Sequence, residues 1–295
     1  MKKIFITGVN SFIGQEIIRQ CDAQNIEVSG VDVTPSDREN CHVMDIRDAN
    51  ISDIIPQGVD AIIHLAGLSR DPDCQNKGTE CMSANVMGTH HLIDAAEARK
   101  AKQFIFASSE WVYTKFQNDV EKTEDDLIDI AQINSEYALS KLISETNLRQ
   151  KHNHGFCPAT ILRFGIVYGP RDSNFSAVEA LFKKVADGEE LTVGSLKTGR
   201  CFIHVSDVAD GILNAIGLDG FDIINIQGPK LVTLGEVLET SAKLLNKDIN
   251  VTEAAPQDPS IRLVSAQKAK DVMQWEASMN IESGLKSVAQ HLGYL

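Results

Sequence analysis

A chain of 295 residues has room for one large α/β domain, or for a domain with an appended lobe, and its apolar content of 43% is that of an ordinary globular protein. A formal net charge of −13 with no basic run argues against nucleic acid or an anionic membrane as a partner. No stretch approaches membrane-spanning length, and the Met-Lys-Lys start has too short an apolar run for a signal peptide. Cys21, Cys41, Cys74, Cys81, Cys157 and Cys201 show no C-x-x-C spacing, so the expectation is free thiols in a reducing cytoplasm and no metal site, with metal binding or disulfides as the lesser alternative.

In chain order, Ile4, Phe5 and Ile6 form a short apolar run ending in Thr7-Gly8, which predicts a buried strand entering a turn. Gly14 opens a helical pattern with Ile13, Ile17 and Ile18 on its apolar face, and IEVSGVDV predicts a second strand ending in Asp32. Strand, glycine turn, helix, strand and acid is the order of a dinucleotide site. Glycines let backbone approach a pyrophosphate, the helix N-terminus supplies N–H donors, and Asp32 would accept from ribose hydroxyls, favouring NAD over NADP. Ser11 holds the middle glycine position, which leaves the motif incomplete.

VDAIIHLAG then predicts a strand, Ser83 to Lys100 a helix, QFIFASS a strand, Glu136 to Arg149 a helix, and ATILRFGIVYGP a strand with a Gly-Pro stop. The alternation predicts an α/β fold with a Rossmann-type, doubly wound parallel sheet. Beyond Gly169 the order loosens. Phe175 to Asp187 reads as a helix, LTVG and CFIHV as strands, Asp207 as the cap of a helix through Ala215, and FDIINIQG as a strand. Two helical patterns flank APQDP in the tail. The division expected is a dinucleotide-binding domain over 1–168, with 201–227 returning to it, and a smaller C-terminal substrate lobe over 169–200 and 228–295.

The chemistry concentrates at Tyr137 and Lys141, four residues apart and so on one helical face. An unperturbed Tyr has a pKa of about 10 and is a poor base near neutrality; a neighbouring ammonium lowers that value. His64 and His204 sit within strands without metal-ligand spacing and read as structural.

Taken together, the motifs TGVNSFIG, Asp45-Ile46, HLAG, NVMGT, FASSEWVY, the Tyr/Lys helix, LRFGIVYGP and RCFIHVSDVADGI resemble those of the extended short-chain dehydrogenase/reductases, in the NAD-dependent nucleotide-sugar epimerase/dehydratase family. The resemblance covers nearly the whole chain. It implies NAD held by Gly8, Asn10, Ser11, Phe12, Ile13, Gly14, Asp32, Asp45, Ile46, Leu65, Ala66, Gly67, Asn85, Phe164, Tyr137 and Lys141. It implies a catalytic trio of Ser109, Tyr137 and Lys141. Arg200 would pair with the nucleotide diphosphate, Arg262 is a second candidate for that role, and Glu110 and Ile166 fall at substrate positions. Trp275 matches a Trp that packs the small lobe.

The departures from the pattern bear on the reaction. Trp111 stands where family dehydratases and decarboxylases usually carry Glu, and indole cannot act as a base. Glu110 precedes it, and Ile166 replaces an Asn that commonly touches substrate. Thr114 replaces a turn glycine, and Ser265 an Asp of the lobe. The expectation is therefore a nucleotide-sugar epimerase of polysaccharide biosynthesis. It would act at C4 through a 4-keto intermediate, with a UDP-sugar favoured as substrate. The alternatives are a 4-keto nucleotide-sugar reductase and a non-catalytic dinucleotide sensor. Helices around Val86 to Ala96 and Ala138 to Leu148 carry more apolar residues than one core-facing stripe needs. The resemblance and the prevalence of two-fold dimers together imply a homodimer.

Overall fold

Apolar runs of four to six residues, each stopped by a turn, become the buried strands of one sheet in the computed structural model, which describes residues 1–117 and 120–295. The chain divides into two units. The first comprises Met1–Thr114, Leu127–Arg163 and Ala209–Ile224; the second comprises Lys115–Asp126, Phe164–Val208 and Asn225–Leu295.

In the first unit, β1 (Lys3–Thr7), β2 (Glu27–Asp32), β3 (Cys41–Val43), β4 (Ala61–His64), β5 (Phe104–Ser109) and β6 (Ala159–Phe164) are joined by β11 (Phe221–Ile226). They form a seven-stranded parallel sheet in the order β11-β6-β5-β4-β1-β2-β3. The order reverses direction at β1, which pairs with both β2 and β4 and so makes the crevice where open α/β sheets take their ligands. Helices α1 (Phe12–Gln24), α2 (Asp71–Cys74), α3 (Gly78–Met82), α4 (Gly88–Ala98) and α5 (Glu136–Asn153) follow. Phe5, Val31, Ile62, Leu92, Phe104, Phe106 and Leu148 share one core cluster. Each such side chain contributes about 1.5–3 kcal/mol on burial.

In the second unit, β7 (Val167–Tyr168) pairs with β10 (Ile203–His204), and β8 (Leu191–Val193) with β13 (Val251–Glu253). A three-stranded sheet runs β12 (Val232–Thr233), β9 (Gly199–Arg200), β14 (Ile261–Arg262). Helix α6 (Ala177–Asp187) and helix α8 (Leu234–Leu245) each begin with a capping box, Ser176 with Glu179 and Thr233 with Glu236. Helix α7 (Val205–Asn214), α9 (Gln267–Met273) and α10 (Ile281–His291) complete the chain. Phe182, Val237, Leu238, Leu285 and Val288 lie in this unit's own core. Among the described residues, no helix is long and apolar enough to cross a membrane.

Several local expectations shift. Because β10 pairs with β7, residues 201–208 group with the second unit. Helix α7 starts at Val205, and Asp207 instead accepts from the backbone N–H of Ser278 and Met279. The tail holds three helices where two were expected, since α9 is a short seven-residue piece. Cys74 and Cys81 are not free thiols: they form a disulfide, while Cys21, Cys41, Cys157 and Cys201 are free.

Candidate active site

The dinucleotide end of the first unit is built by backbone that only glycine permits. Gly8 ends β1 at φ +81°, and a Cβ there would lie 3.1 Å from the backbone N of Ala66. At Gly14, inside α1, a Cβ would fall 2.2 Å from the carbonyl oxygen of Gly8. Ser11, where a third glycine was missing, has φ −67° and ψ 161°, which any residue adopts. Its hydroxyl accepts from Gly14 N at 3.1 Å and caps α1. The helix therefore starts at Phe12 rather than Gly14, and the serine strengthens the turn.

Asp32 stands at the end of β2. Its carboxylate accepts from Asn10 N at 3.0 Å and from Thr34 N and Oγ1 at 3.0 and 2.9 Å. Asn10 Nδ2 reaches the Thr34 carbonyl at 2.9 Å. Arg38, the nearest cation along the chain, is committed to a two-pronged pair with Asp22 at 2.8 and 2.9 Å. Asp45 is gripped by Arg47, which holds its carboxyl below the usual range, and Ile46 beside it is buried against Gly88.

The turn Leu65-Ala66-Gly67 follows β4. Ala66 N donates to Thr7 Oγ1 at 3.2 Å. Asn85 fastens the next residue, accepting from Leu68 N at 2.8 Å and donating to Leu68 O at 3.0 Å and Ser140 Oγ at 2.9 Å. Its amide is spent on holding this turn to α5. The expected helix start at Ser83 is one turn of π-helix, Ser83–Met87. The Asn85 carbonyl there accepts from the hydroxyls of Thr89 and Ser144. Such bulges recur at functional sites. His64 is buried between Thr7 Oγ1 and Thr89 Oγ1 at 2.8 and 2.9 Å. Burial, then the charge of Lys141, pulls its pKa down to about 3, so it is neutral and structural.

Tyr137 and Lys141 lie on α5, with Ser109 close by at the end of β5. Ser135 caps α5, accepting from Ala138 N at 3.1 Å, and Tyr137 and Lys141 lie buried one turn apart. Ser109 Oγ accepts from Trp111 N at 3.3 Å, and its hydroxyl is near enough to that of Tyr137 to act on it. Lys141 Nζ donates to the Ala107 carbonyl at 2.8 Å and lies 4.9 and 5.9 Å from the ring centres of Phe106 and Tyr137. The electrostatics differ from the expectation. Burial dominates and pushes Tyr137 up to about 12, against the Ser109 hydroxyl, while burial pulls Lys141 down to about 8 against the charge of Glu145. A neighbouring ammonium does not by itself make Tyr137 acidic; both groups sit desolvated in forms that a bound partner must tune.

Sequence reasoning missed what lies behind this trio. Glu145 is a further turn along α5, buried, and accepts from Ser108 Oγ at 2.5 Å and from Arg163 Nε and Nη2 at 3.0 and 2.6 Å. The signal was present as a Y-x-x-x-K-x-x-x-E spacing, which puts all three on one face.

The strand β5 ends at Ser109, and Glu110–Val112 turns into a 3-10 helix. Alternation along a strand therefore does not apply to Glu110. It is wholly buried, whereas Trp111 is 38% exposed. Phe164 ends β6 and is buried. In the second unit, Arg200 and Arg262 are register partners on the parallel strands β9 and β14, so their side chains leave the same face. Arg200 donates to the carbonyls of Gly199 and Ser260 at 2.7 and 2.6 Å, and Arg262 stacks on Phe116 at 4.9 Å. Ile166 packs against that unit's apolar core.

The model of the NAD dependent epimerase/dehydratase family matches residues 4–226. A UDP-N-acetyl-alpha-D-glucosaminuronate decarboxylase of Bacillus cytotoxicus is 27% identical, with 98% of this chain and 97% of that protein covered. Among solved structures, a UDP-N-acetylglucosamine 4-epimerase of Methanobrevibacter ruminantium in complex with UDP-N-acetylmuramic acid superposes with a TM-score of 0.88 at 23% identity, over 99% of this chain and 98% of that one. MoeE5 in complex with UDP-glucose and NAD gives 0.87 at 23%, with the same coverage.

Proposed function

Since the chain belongs to the NAD dependent epimerase/dehydratase family, whose cofactor is NAD, we propose that it is a nucleotide-sugar epimerase acting at sugar C4. The residues of the first unit fit the cofactor. Gly8 and Gly14 leave no room for side chains at the turn, the N-terminus of α1 points donors beyond it, and the Asp32 carboxylate waits at the end of β2. When bound, NAD supplies a carbon that takes a hydride from the sugar and gives it back.

The chain's own residues handle the proton and the oxygen. Tyr137 Oη takes the proton of the reacting hydroxyl and returns it to the same oxygen. Ser109 Oγ, close to Tyr137, steadies that oxygen as it becomes a carbonyl. Lys141 contributes the positive charge that favours phenolate. Arg200 and Arg262, side by side on one face, suit a diphosphate, which accepts bidentate guanidinium bonds.

The observation that carries the choice of reaction is Trp111. Removing water across C5 and C6 needs a base near C5, and indole offers only an N–H donor. Glu110, next along, is buried away from solvent in the 3-10 turn. A second reading is favoured by the decarboxylase relative, because oxidation of a uronic acid at C4 makes a β-keto acid that loses carbon dioxide. The test is NMR of product mixtures across UDP-, dTDP- and GDP-sugars, uronic acids included. The expected result is C4 epimers with no net change in nicotinamide absorbance. A 4-keto-6-deoxy product would overturn the assignment; a pentose product with carbon dioxide would replace it with the second reading. Net oxidation of reduced nicotinamide on a 4-keto sugar would make the chain a reductase, and binding of NAD without turnover of any sugar would make it a sensor.

A further inference from the structure

Lys141 is an ammonium with its side chain almost wholly out of water, bonded to the neutral carbonyl of Ala107 and flanked by the rings of Phe106 and Tyr137. A charge in such a place reverts to its neutral form unless a counter-charge is near. The buried ionisable groups on the elements around it are His64 on β4, Glu110 and Tyr113 after β5, Tyr137 and Glu145 on α5, and Arg163 on β6, while α2 and α3, packed on α5, carry Asp71, Asp73 and Glu80 outside the buried set. His64 is neutral. Arg163 is bound to Glu145 through two hydrogen bonds and lies 4.9 Å over the Tyr113 ring. Glu145 sits one helical turn from Lys141, and Ser108 and Arg163 fix its carboxylate.

We propose that Glu145 is a positioning residue whose fixed carboxylate keeps Lys141 protonated, and that Ser108 and Arg163 exist to hold that carboxylate in place. The role rests on the catalytic reading of Tyr137 and Lys141. It also explains why a buried ion pair is found behind them, where an apolar pair would serve packing equally well. The charge of Glu145 acts on Lys141 in the direction required, opposing burial. Ser108 is the neighbour of Ser109, so the same carboxylate also anchors the end of β5.

The experiment is a pH titration of Lys141 by NMR of 13C-lysine-labelled protein without cofactor, its signal identified by its loss in Lys141→Met. In Glu145→Gln the titration should fall by roughly one pH unit. The alkaline limb of kcat/KM should move down with it, so that activity above that limb drops about tenfold relative to wild type. Should Glu145→Gln fail to fold because Arg163 is left charged and buried, the double variant Glu145→Gln/Arg163→Met removes both charges and should still lower the titration. An unmoved Lys141 titration in a folded variant would overturn the proposal. The titration does not depend on turnover. If it shifts as expected while Tyr137→Phe keeps full activity, the catalytic reading fails and the counter-charge stands.

Discussion

Replacing Lys141 by Met should make the protein more stable and inactive. The Lys141 ammonium is buried and its pKa is drawn from 10.5 to about 8. That depression of about 2.5 units, at about 1.36 kcal/mol per unit, sets an upper bound of about 3 kcal/mol on the penalty of folding with the charge inside. Met fills the same volume without a charge but gives up the bond to the Ala107 carbonyl, a loss of about 1.5–3 kcal/mol for a charged donor. The net gain expected is at most about 1.5 kcal/mol. Its pH dependence has a definite sign. The unfolded chain holds the lysine proton up to about pH 10.4, the folded chain only to about 8, so stability from this group rises with pH between those values. Below about pH 8 the penalty is complete, and above the unfolded value it is gone. Urea unfolding of wild type and Lys141→Met without cofactor, at pH 7 and at pH 10, reads this directly. The advantage of Met should be full at pH 7 and shrink at pH 10. A variant less stable than wild type by the same amount at both pH values would refute the reasoning, since it would mean that Lys141 packs favourably as a charge.

Tyr137→Phe should keep its fold and its affinity for NAD but lose about 10²–10⁴-fold in turnover, by steady-state assay and calorimetry; near-normal turnover would remove Tyr137 from the chemistry. Calorimetry should find NAD bound more tightly than NADP, because Asp32 meets the 2′-phosphate and Arg38 is tied to Asp22, and Asp32→Ala should narrow the gap. Gly14→Ala forces a Cβ to 2.2 Å from a backbone oxygen and should destabilise the protein by about 1–3 kcal/mol while weakening NAD binding, read by thermal unfolding with and without cofactor. Met87 on the π-turn before α4 and Leu139, Leu142 and Ile143 on α5 are not buried within the chain, which supports a homodimer; a monomer mass by light scattering at micromolar concentration would count against it.

The middle of the sheet was legible because β1, β4, β5 and β6 are apolar runs each ended by a turn, as parallel strands buried on both faces read, whereas β3, a short and largely exposed edge strand, carries no such run. The Tyr/Lys helix was legible because its residue pair falls on the helical period. What was not legible depends on contacts between distant segments. The helix cap at Ser11 hides behind an expectation of glycine, although a hydroxyl does the capping better. The pKa of Tyr137 could not be signed from spacing, because burial sets its direction while the Lys141 ammonium lies 5.9 Å from the ring centre. The disulfide between Cys74 and Cys81 joins two short helices whose approach only the fold sets, with Cα atoms 5.2 Å apart. Arg200 and Arg262 are 62 positions apart in sequence and meet only through strand register.

The sheet of the first unit is finished late. Six of its strands have left the ribosome once Phe164 emerges, yet the neighbour of β6 is β11, which begins at Phe221. At about 5–20 residues per second, the nascent chain waits roughly 3–12 s for that strand. All six residues of β6 are buried in the finished molecule, and during the wait their outer backbone row is an open edge able to pair with another chain. Truncations before β11 should therefore give insoluble products even though they keep the whole dinucleotide end, and slow translation through the intervening segment should favour holdase chaperones over spontaneous folding.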